Sequence, residues 1–433
     1  TPSNSSAASD VYKRQILSLS PELFLKKRGE ILKSSPMKGT FKRSISWKED
    51  LKLKRYLKND IKNQAENIMI VDLIRNDLGR VCQEGSVYVS ELFKIETYPT
   101  LHQMISTVKG TLKTENLYKI IKALFPCGSI TGAPKIRAME IIRELEKEPR
   151  EVYTGAIGFI DTSGNFFFNV AIRSLIFKKA EDNNFFNGEA GIGGGIVWDS
   201  IPEDEFQESI LKAKFFLSPL PYFKLIETFY IDKTQKNPLL FLHYKRLKTS
   251  ANYFRFKIPE WLKTYKDFEN FLKKRTYTLK KGRYKARILL SPSGEVEFTL
   301  SPFEPWSHHL KIGLVKRNFD LGVLFFHKTS FREPYSFWQK KAQEMGLNEI
   351  IFYNEEGFLL EGTISNLFVE LNSELITPPL SLKILNGVLR QFLISKKKVK
   401  EAKIKIEDLN NIKAFYIGNA IRGLGKVSEW VIL

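Results

Sequence analysis

One lysine and four glutamates of this chain have neighbours that could give them chemistry to do: Lys328, Glu66, Glu205, Glu208 and Glu361. Glu66 lies in "NQAENIMIVDLIRND", where helical spacing makes Met69, Ile70 and Leu73 its near neighbours. A carboxylate on an apolar face is costly to bury alone, so it calls for a cation; an ion pair with Arg75 or another surface cation meets that need, and so does a metal. In "GIGGGIVWDSIPEDEFQES" a glycine-rich strand end runs into a helix start, with Ser200, Pro202 and Glu203 reading as a capping box. Glu205 and Glu208 then fall three apart on one helix face. Glycines let backbone N–H groups approach an anion and the carboxylates can hold a cation, a pairing that suits a Mg²⁺-bound carboxylate substrate.

Lys328 stands in "FFHKTSFREPY", at the end of an apolar, strand-like run. Desolvation lowers the pKa of such a lysine and makes it a Schiff-base former, or it is an ordinary strand-end lysine. Glu361, in "GFLLEGTISNLF", follows apolar residues within a predicted sheet. Buried there it needs a donor, which a salt-bridging cation or a pyridinium N–H would supply. Lys38, in "PMKGT", is by itself a solvated surface lysine.

The elements that position these residues fall into two halves. Pro219 and Pro221 in "FFLSPLPYF" interrupt a helix-like segment before the strand "FKLIETFYI", which sets domains at 16–218 and 219–433. Residues 1–15, with neither an apolar signal core nor clear periodicity, read as a non-native or disordered leader, and the abrupt strand "ILSLSPELFL" that follows as the sign of a missing N-terminus. In the first half "SPELFLKKRGEILKSSPMKGTFKRS" alternates like a β-meander, "NQAENIMIVDLIRNDLG" and "PKIRAMEIIRELEKE" have helical spacing, and "YTGAIGFIDTSGNFFFNVAIRSLIF" is a hairpin turning at Ser163-Gly164. In the second, "RYKARILLSPSGEVEFTLSPF" is a hairpin, "NEIIFYNEEGFLLEGTISNLFVELNSELITP" three strands, and "PLLFLHY" and "LGVLFFH" short buried strands. Both halves are α+β.

Composition sets outer limits. With 43% apolar and 27% charged residues the chain is globular, and no apolar run reaches membrane-spanning length. Two cysteines make no disulfide framework and suit a cytoplasmic protein. The net charge of +20 is spread along the chain without zinc spacing or a stacking motif, so a lysine-rich surface is the expectation and nucleic acid is not the ligand.

From Ser18 to about Leu217 the chain resembles the chorismate-utilising enzymes, in "SPELFL", "PMKGT", "AENIMIVDLIRNDLGRV", "YPTLHQMIST", "FPCGSITGAPKIRAMEII", "YTGAIGFID", "NVAIRSL" and "GGGIVWDSIPEDEFQES". The resemblance implies that family's α/β sandwich, incomplete here because the N-terminal strands that normally precede "SPELFL" are missing. Within it, lysine at Lys38 is the mark of aminodeoxychorismate synthases, whereas anthranilate synthases typically have alanine. A neutral Lys38 amine attacks the chorismate ring, the 4-hydroxyl leaves, and ammonia resolves the covalent intermediate. The same resemblance makes Glu22 the acid for the departing hydroxyl, gives Mg²⁺ to Glu66 and Glu208 with Glu205 close by, and has Tyr153, Arg173 and the amides of Gly193, Gly194 and Gly195 hold substrate carboxylates. Thr40, Ser129 and His102 match further active-site positions.

From about Phe223 to Leu433 the chain resembles the fold-type IV pyridoxal-phosphate enzymes, aminodeoxychorismate lyase above all, in "LIETFY", "HYKRLKTSANYF", "HKTSFR", "NEIIFYNEEGFLLEGTISNLFVE", "ITPPL", "NGVLRQFLI" and "YIGNAIRGL". Implied are a two-subdomain α+β unit, pyridoxal 5'-phosphate on Lys328 as an internal aldimine, Glu361 on the pyridine nitrogen, and Arg246, the amides of Val388 and Leu389, and Asn419 on the phosphate. Leu389 stands where transaminases of this group often have threonine, and Lys383 where glycine is usual. The expected function is thus two-step synthesis of 4-aminobenzoate from chorismate and ammonia. A separate glutamine amidotransferase is the expected partner, and the second half leaves room for a homodimer. The alternatives are a D-amino-acid or branched-chain transaminase in the second half, or an inactive basic fragment.

Overall fold

Alternating burial along Leu23–Arg28 and Ile31–Ser35 turns a short apolar-polar pattern into the hairpin around which the first unit is built. The computed structural model describes residues 14–98, 100–179, 186–217, 220–232, 237–371 and 373–433. The chain divides into two units, Thr1–Leu220 and Pro221–Leu433.

In the first unit the order is β1 (Arg14–Ser18), β2 (Leu23–Arg28), β3 (Ile31–Ser35), β4 (Met37–Lys42), α1 (Trp47–Asn59), α2 (Ile61–Gly79), β5 (Tyr88–Thr97), β6 (Leu101–Thr111), α3 (Leu117–Leu124), α4 (Gly128–Thr131), α5 (Lys135–Leu145), β7 (Ala156–Ile160), β8 (Phe166–Val170), β9 (Ser174–Lys179), β10 (Phe186–Glu189) and α6 (Pro202–Leu217). An antiparallel sheet runs β4-β6-β3-β2-β8-β7, with β5 on the other edge of β6. Strand β6 is buried along nearly its whole length, because neighbouring strands flank it and α2 packs across it. Asp60 caps α2 by accepting from the Asn63 amide, and the helix turns Ile70, Val71, Ile74 and Leu78 into a core with Phe24, Leu25, Leu32, Val108 and Val170.

The sequence pattern misleads in four places of this unit. Only the first hairpin of the expected meander forms. Pro36 has no N–H to continue the ladder; its carbonyl accepts from Ser106, and β4 crosses to pair with β6, setting Thr40 opposite Gln103. Strand β9 leaves the β7–β8 hairpin and pairs with β1 and β10 in a separate sheet. The leader expected over 1–15 is too long by two residues: Arg14 and Gln15 belong to β1, opposite Lys178 and Phe177, and 1–13 lie outside the described residues. The capping box is also not formed. Ser200 turns its hydroxyl to Glu205 (2.6 Å) and accepts from the Val197 amide, while Glu203 bonds Gln207.

The second unit runs β11 (Leu225–Asp232), α7 (Leu240–Tyr253), α8 (Tyr265–Thr276), β12 (Arg283–Leu290), β13 (Val296–Pro302), β14 (Leu310–Lys316), α9 (Glu333–Glu344), β15 (Glu349–Tyr353), β16 (Leu359–Gly362), β17 (Asn366–Leu371), β18 (Glu374–Thr377), α10 (Val388–Ser395), β19 (Lys400–Glu401), β20 (Ala414–Asn419) and β21 (Gly423–Ile432). Strands β11, β12 and β13 form one antiparallel sheet. A mixed sheet runs β16-β15-β14-β21-β20-β17-β18-β19, and a further β16–β17 pairing closes part of it on itself.

Both apolar runs expected as strands are helical. "PLLFLHY" opens α7, because His243, Tyr244, Leu247, Ser250 and Ala251 share a helical period and are all buried; "LGVLFFH" is a 3-10 turn over Gly322–Phe326. The three-strand run has four strands. It breaks after Gly362 because Glu349, 1% exposed, gathers the Ile364 amide and the Thr363 and Ser365 hydroxyls (2.9, 2.5 and 3.0 Å). Each unit is α+β.

Candidate active sites

In the first unit, β2, β4, α2 and α6 bring five of the singled-out side chains into one neighbourhood. Glu22, just before β2, is 3% exposed and its carboxylate accepts from Ser129 of α4 at 2.5 Å. Burial holds this carboxyl above its usual range, against the Ser129 hydrogen bond and the charges of Lys38 and Arg173. Lys38, on β4, lies against the glycine-rich segment: a Cβ at Gly195 would come within 2.5 Å of its Nζ. Glu66 of α2 is also raised, first by burial, with Lys38 and Lys62 opposing and the like charges of Glu205 and Glu208 adding. The ion pair with Arg75 that was the alternative for Glu66 does not form; Arg75 pairs with Asp72 at 3.0 Å.

The glycines are in close contact with functional groups. The Tyr153 ring leaves no room for a Cβ at Gly191 (2.2 Å), its hydroxyl would be 3.1 Å from one at Gly193, and Glu205 would be 3.0 Å from one at Gly194. Lys212 of α6 pairs with Glu208 (2.7 Å) and donates to the Gly193 carbonyl (3.1 Å), so it ties the acidic helix face to the glycines. Lys212 was missed in the sequence; its signal was the i,i+4 spacing from Glu208. Arg173, in left-handed backbone (φ 50°), stacks on Tyr98 and lies within the field of Glu22.

Thr40 and His102 are engaged in other ways. Gln103 donates to the Thr40 hydroxyl at 3.1 Å. His102 is 1% exposed, with Asp50 at 3.0 Å from Nε2 and Thr97 at 3.0 Å from Nδ1; Asp50 also takes a fork from Arg43. Both ring nitrogens of His102 therefore serve a buried network. Among the described residues no three His, Cys, Asp or Glu side chains stand together as a metal site.

In the second unit a cavity of about 340 Å³ is lined by Lys328, Glu361, Arg246, Val388 and Asn419. The Lys328 backbone is held to β11, its carbonyl accepting from Ile226 (2.8 Å). Burial and then Arg246 push its ammonium down to about 7, with Glu227 opposing. Glu361 accepts from the Tyr335 hydroxyl (2.8 Å) and the Leu385 amide (2.9 Å), and burial pushes it up to about 7. Leu389 is absent from the cavity wall. It follows Val388 in the first turn of α10, and its side chain packs with Phe368 and Leu393. Lys383 takes the left-handed backbone (φ 55°) that glycine favours, secured by Asp320 on its ammonium and Arg317 on its carbonyl.

Glu227 and His243 escaped notice in the sequence. Glu227, 1% exposed on β11, takes a fork from Arg246 (2.7 and 2.8 Å) and a third bond from His243 Nδ1 (2.7 Å). Its signal was the one that marked Glu361, an acid inside an apolar strand. His243 Nε2 is buried beside the cavity without a hydrogen-bond partner.

Comparison with known proteins fits this division. Residues 1–218 match the family of chorismate binding enzymes, and residues 224–430 the class IV amino-transferases. The chain belongs to the chorismate binding enzyme family, and carries a class IV amino-transferase domain behind it, with pyridoxal 5'-phosphate the cofactor of that class. Its first unit is similar to the chloroplastic aminodeoxychorismate synthase of Arabidopsis thaliana, 48% identical over 201 residues, which are 46% of this chain and 21% of that one. Against aminodeoxychorismate synthase component 1 of Escherichia coli it is 44% identical over 206 residues, 47% of this chain and 44% of that one. The chain thus spans less than half the length of these curated relatives. Among solved structures, a fold IV-transaminase from Curtobacterium pusillum aligns over 48% of this chain and 79% of its own, at 18% identity and a TM-score of 0.42. Among the described residues no helix is long and apolar enough to cross a membrane.

Proposed function

We propose that this chain makes 4-aminobenzoate, a folate precursor, in two steps: amination of chorismate to 4-amino-4-deoxychorismate in the first unit, then elimination of pyruvate in the second. The observation that carries the reading is the position of Lys38, its amine against Gly195 and within the fields of Glu22 and Glu66. The identity of 44–48% to aminodeoxychorismate synthases supports it. The Lys38 amine forms a C–N bond to the ring as the C–O bond of the 4-hydroxyl breaks. Glu22 gives its proton to that hydroxyl, which leaves as water, and ammonia then displaces the lysine. Burial favours the protonated Glu22 that this role needs.

Mg²⁺ is the cation of this site in our reading, held by Glu66 and Glu208 with Glu205 beside them. The Glu66 carboxyl is raised first by burial, with the like charges of Glu205 and Glu208 adding, and a cation among the three would offset both. Mg²⁺ usually keeps waters and takes only one or two protein carboxylates, the rest coming from substrate. Tyr153, Arg173 and the amides of Gly193, Gly194 and Gly195 hold the substrate carboxylates, with Thr40 and Ser129 completing the wall. Ammonia comes from a separate glutamine amidotransferase or from solution, and the second unit pairs with another copy.

The second cavity fits pyridoxal 5'-phosphate, having a depressed lysine, a buried glutamate with a raised pKa, an arginine, and the orphaned His243 Nε2. Bound to Lys328, the cofactor supplies an electron sink for the carbon that bears the amine. Glu361 would meet the pyridine nitrogen, and Arg246, the first-turn amides of Val388 and Leu389, and Asn419 would hold the phosphate. Lys328, with its depressed pKa, moves the C4 proton near neutrality. Incubation with chorismate, Mg²⁺ and ammonium followed by mass spectrometry tests the first step: 4-amino-4-deoxychorismate is expected, and anthranilate overturns the role of Lys38. Supplied with 4-amino-4-deoxychorismate, the protein should release 4-aminobenzoate and pyruvate. Transamination of an amino acid in their place would reject the lyase step.

A further inference from the structure

Behind the second cavity lies a carboxylate that the reaction itself does not use. Glu227 is 1% exposed, and its three hydrogen bonds all come from two residues of α7. Both Arg246 nitrogens of the fork, Nε and Nη2, are taken by its two oxygens, at 2.7 and 2.8 Å, which fixes the guanidinium plane. His243, one helical turn before Arg246, points Nδ1 at the same carboxylate from 2.7 Å. With an ionised carboxylate as partner, Nδ1 carries the hydrogen, so Nε2 presents a lone pair, an acceptor and not a donor for whatever enters the cavity. That Nε2 is buried and without a hydrogen-bond partner.

Glu227 is also on the strand that holds the lysine. Its neighbour Ile226 donates to the Lys328 carbonyl at 2.8 Å, and Leu225 bridges to Thr329. One short stretch of β11 therefore sets both the lysine and the arginine-histidine pair. A buried carboxylate bound to a fork and an imidazole is costly to leave without its partners, so the three hold one another in a single arrangement.

We infer that Glu227 is a positioning residue: it fixes the Arg246 guanidinium, with His243 bracing the same carboxylate, in the wall that receives the phosphate end of the cofactor, at a distance from Lys328 fixed by β11. This rests on the reading of the second unit as a pyridoxal-phosphate enzyme. Glu227 touches no reacting atom; it acts through Arg246, His243 and the field at Lys328. Without its charge, Arg246 and Lys328 face each other uncompensated, which drives the Lys328 ammonium further down.

The test compares two aldehydes on the full-length, cofactor-stripped protein. Pyridoxal 5'-phosphate carries the phosphate, and pyridoxal has the same aldehyde and ring without it. Binding is read by the change in absorbance, and attachment by borohydride reduction and mass spectrometry of the Lys328 peptide. In Glu227→Gln, pyridoxal 5'-phosphate should bind at least about tenfold more weakly, in the range seen when outer partners of a ligand are removed at metal sites. Pyridoxal should bind within about twofold of wild type, because it never used the wall. The pH midpoint for trapping pyridoxal on Lys328 should move down, since the group that held the ammonium up has lost its charge. Glu227→Asp keeps the charge and shortens the reach, so it should weaken the phosphorylated aldehyde while the midpoint stays. Equal loss for both aldehydes in both variants would reduce Glu227 to a structural residue and overturn the inference. So would an unchanged preference for the phosphorylated aldehyde. Failure of wild type to take pyridoxal 5'-phosphate on Lys328 would instead sink the reading of the whole unit, and this inference with it.

Discussion

Ser129 donates a 2.5 Å hydrogen bond to Glu22 across 107 residues of sequence, in a pocket where the carboxylate is otherwise deprived of water. Burial raises the Glu22 carboxyl and this hydroxyl pulls it back down. Ser129→Ala removes a bond that favours the carboxylate, so the pKa should rise further. If Glu22 is the acid for the departing hydroxyl, activity persists wherever its proton does. The alkaline limb of the amination rate should therefore move up, by roughly one pH unit. A pH–rate profile with ammonium as nitrogen source measures this; a limb that stays put or moves down excludes Glu22 from the role.

Gly195→Ala puts a Cβ within 2.5 Å of the Lys38 amine. The clash is with the tip of a flexible side chain, so the fold accommodates it by turning the amine away. Thermal midpoint should stay within about 2 °C of wild type. Amination should fall by roughly 100-fold, the cost of a misplacement on the order of 1 Å. Stability and turnover falling together would show that the glycine serves the fold.

Glu66→Gln relieves the repulsion among Glu66, Glu205 and Glu208 but, if Glu66 holds Mg²⁺ as proposed, removes a ligand oxygen. The Mg²⁺ concentration for half-maximal amination should rise at least about tenfold. Glu203→Gln, on the same helix as Glu208 and bonded only to Gln207, should leave it unchanged. Equal Mg²⁺ dependence in both variants would remove the metal from Glu66.

Glu361 contributes to stability with a definite sign. Its folded-state pKa, about 7, lies above the ordinary 4.5. Its favourable contribution is therefore complete below pH 4.5 and lost as pH rises through 7, a swing of roughly 3 kcal/mol. Glu361→Gln cannot ionise. Between pH 4.5 and 8 the cofactor-free variant should gain stability relative to wild type, on top of a constant offset from the altered hydrogen bonds to Tyr335 and the Leu385 amide. Denaturant melts of both proteins at several pH values give the difference; a flat difference would mean that Glu361 is ionised throughout. By the same reasoning Lys328→Ala should abolish the absorbance near the visible edge that marks cofactor attached to lysine.

The sequence by itself determined the chemistry available and the order in which it comes. Local patterns sufficed for α2 and for the β7–β8 and β12–β13 hairpins, because each depends on neighbours a few residues away. The family motifs singled out Lys38, Lys328, Glu66 and Glu361 without any geometry. Tertiary structure alone decided who their partners are. Glu66 took the field of Lys38, Glu205 and Glu208 where sequence equally offered Arg75; His102 turned both nitrogens to Asp50 and Thr97; and Glu227, unremarkable on paper, became the anchor of Arg246. Even "LGVLFFH" and "PLLFLHY" changed type on folding. The physical reason is common to all of them. A buried charge or apolar run is satisfied by whatever the fold brings to it, often from more than fifty residues away, and a linear pattern records the need but not the neighbour.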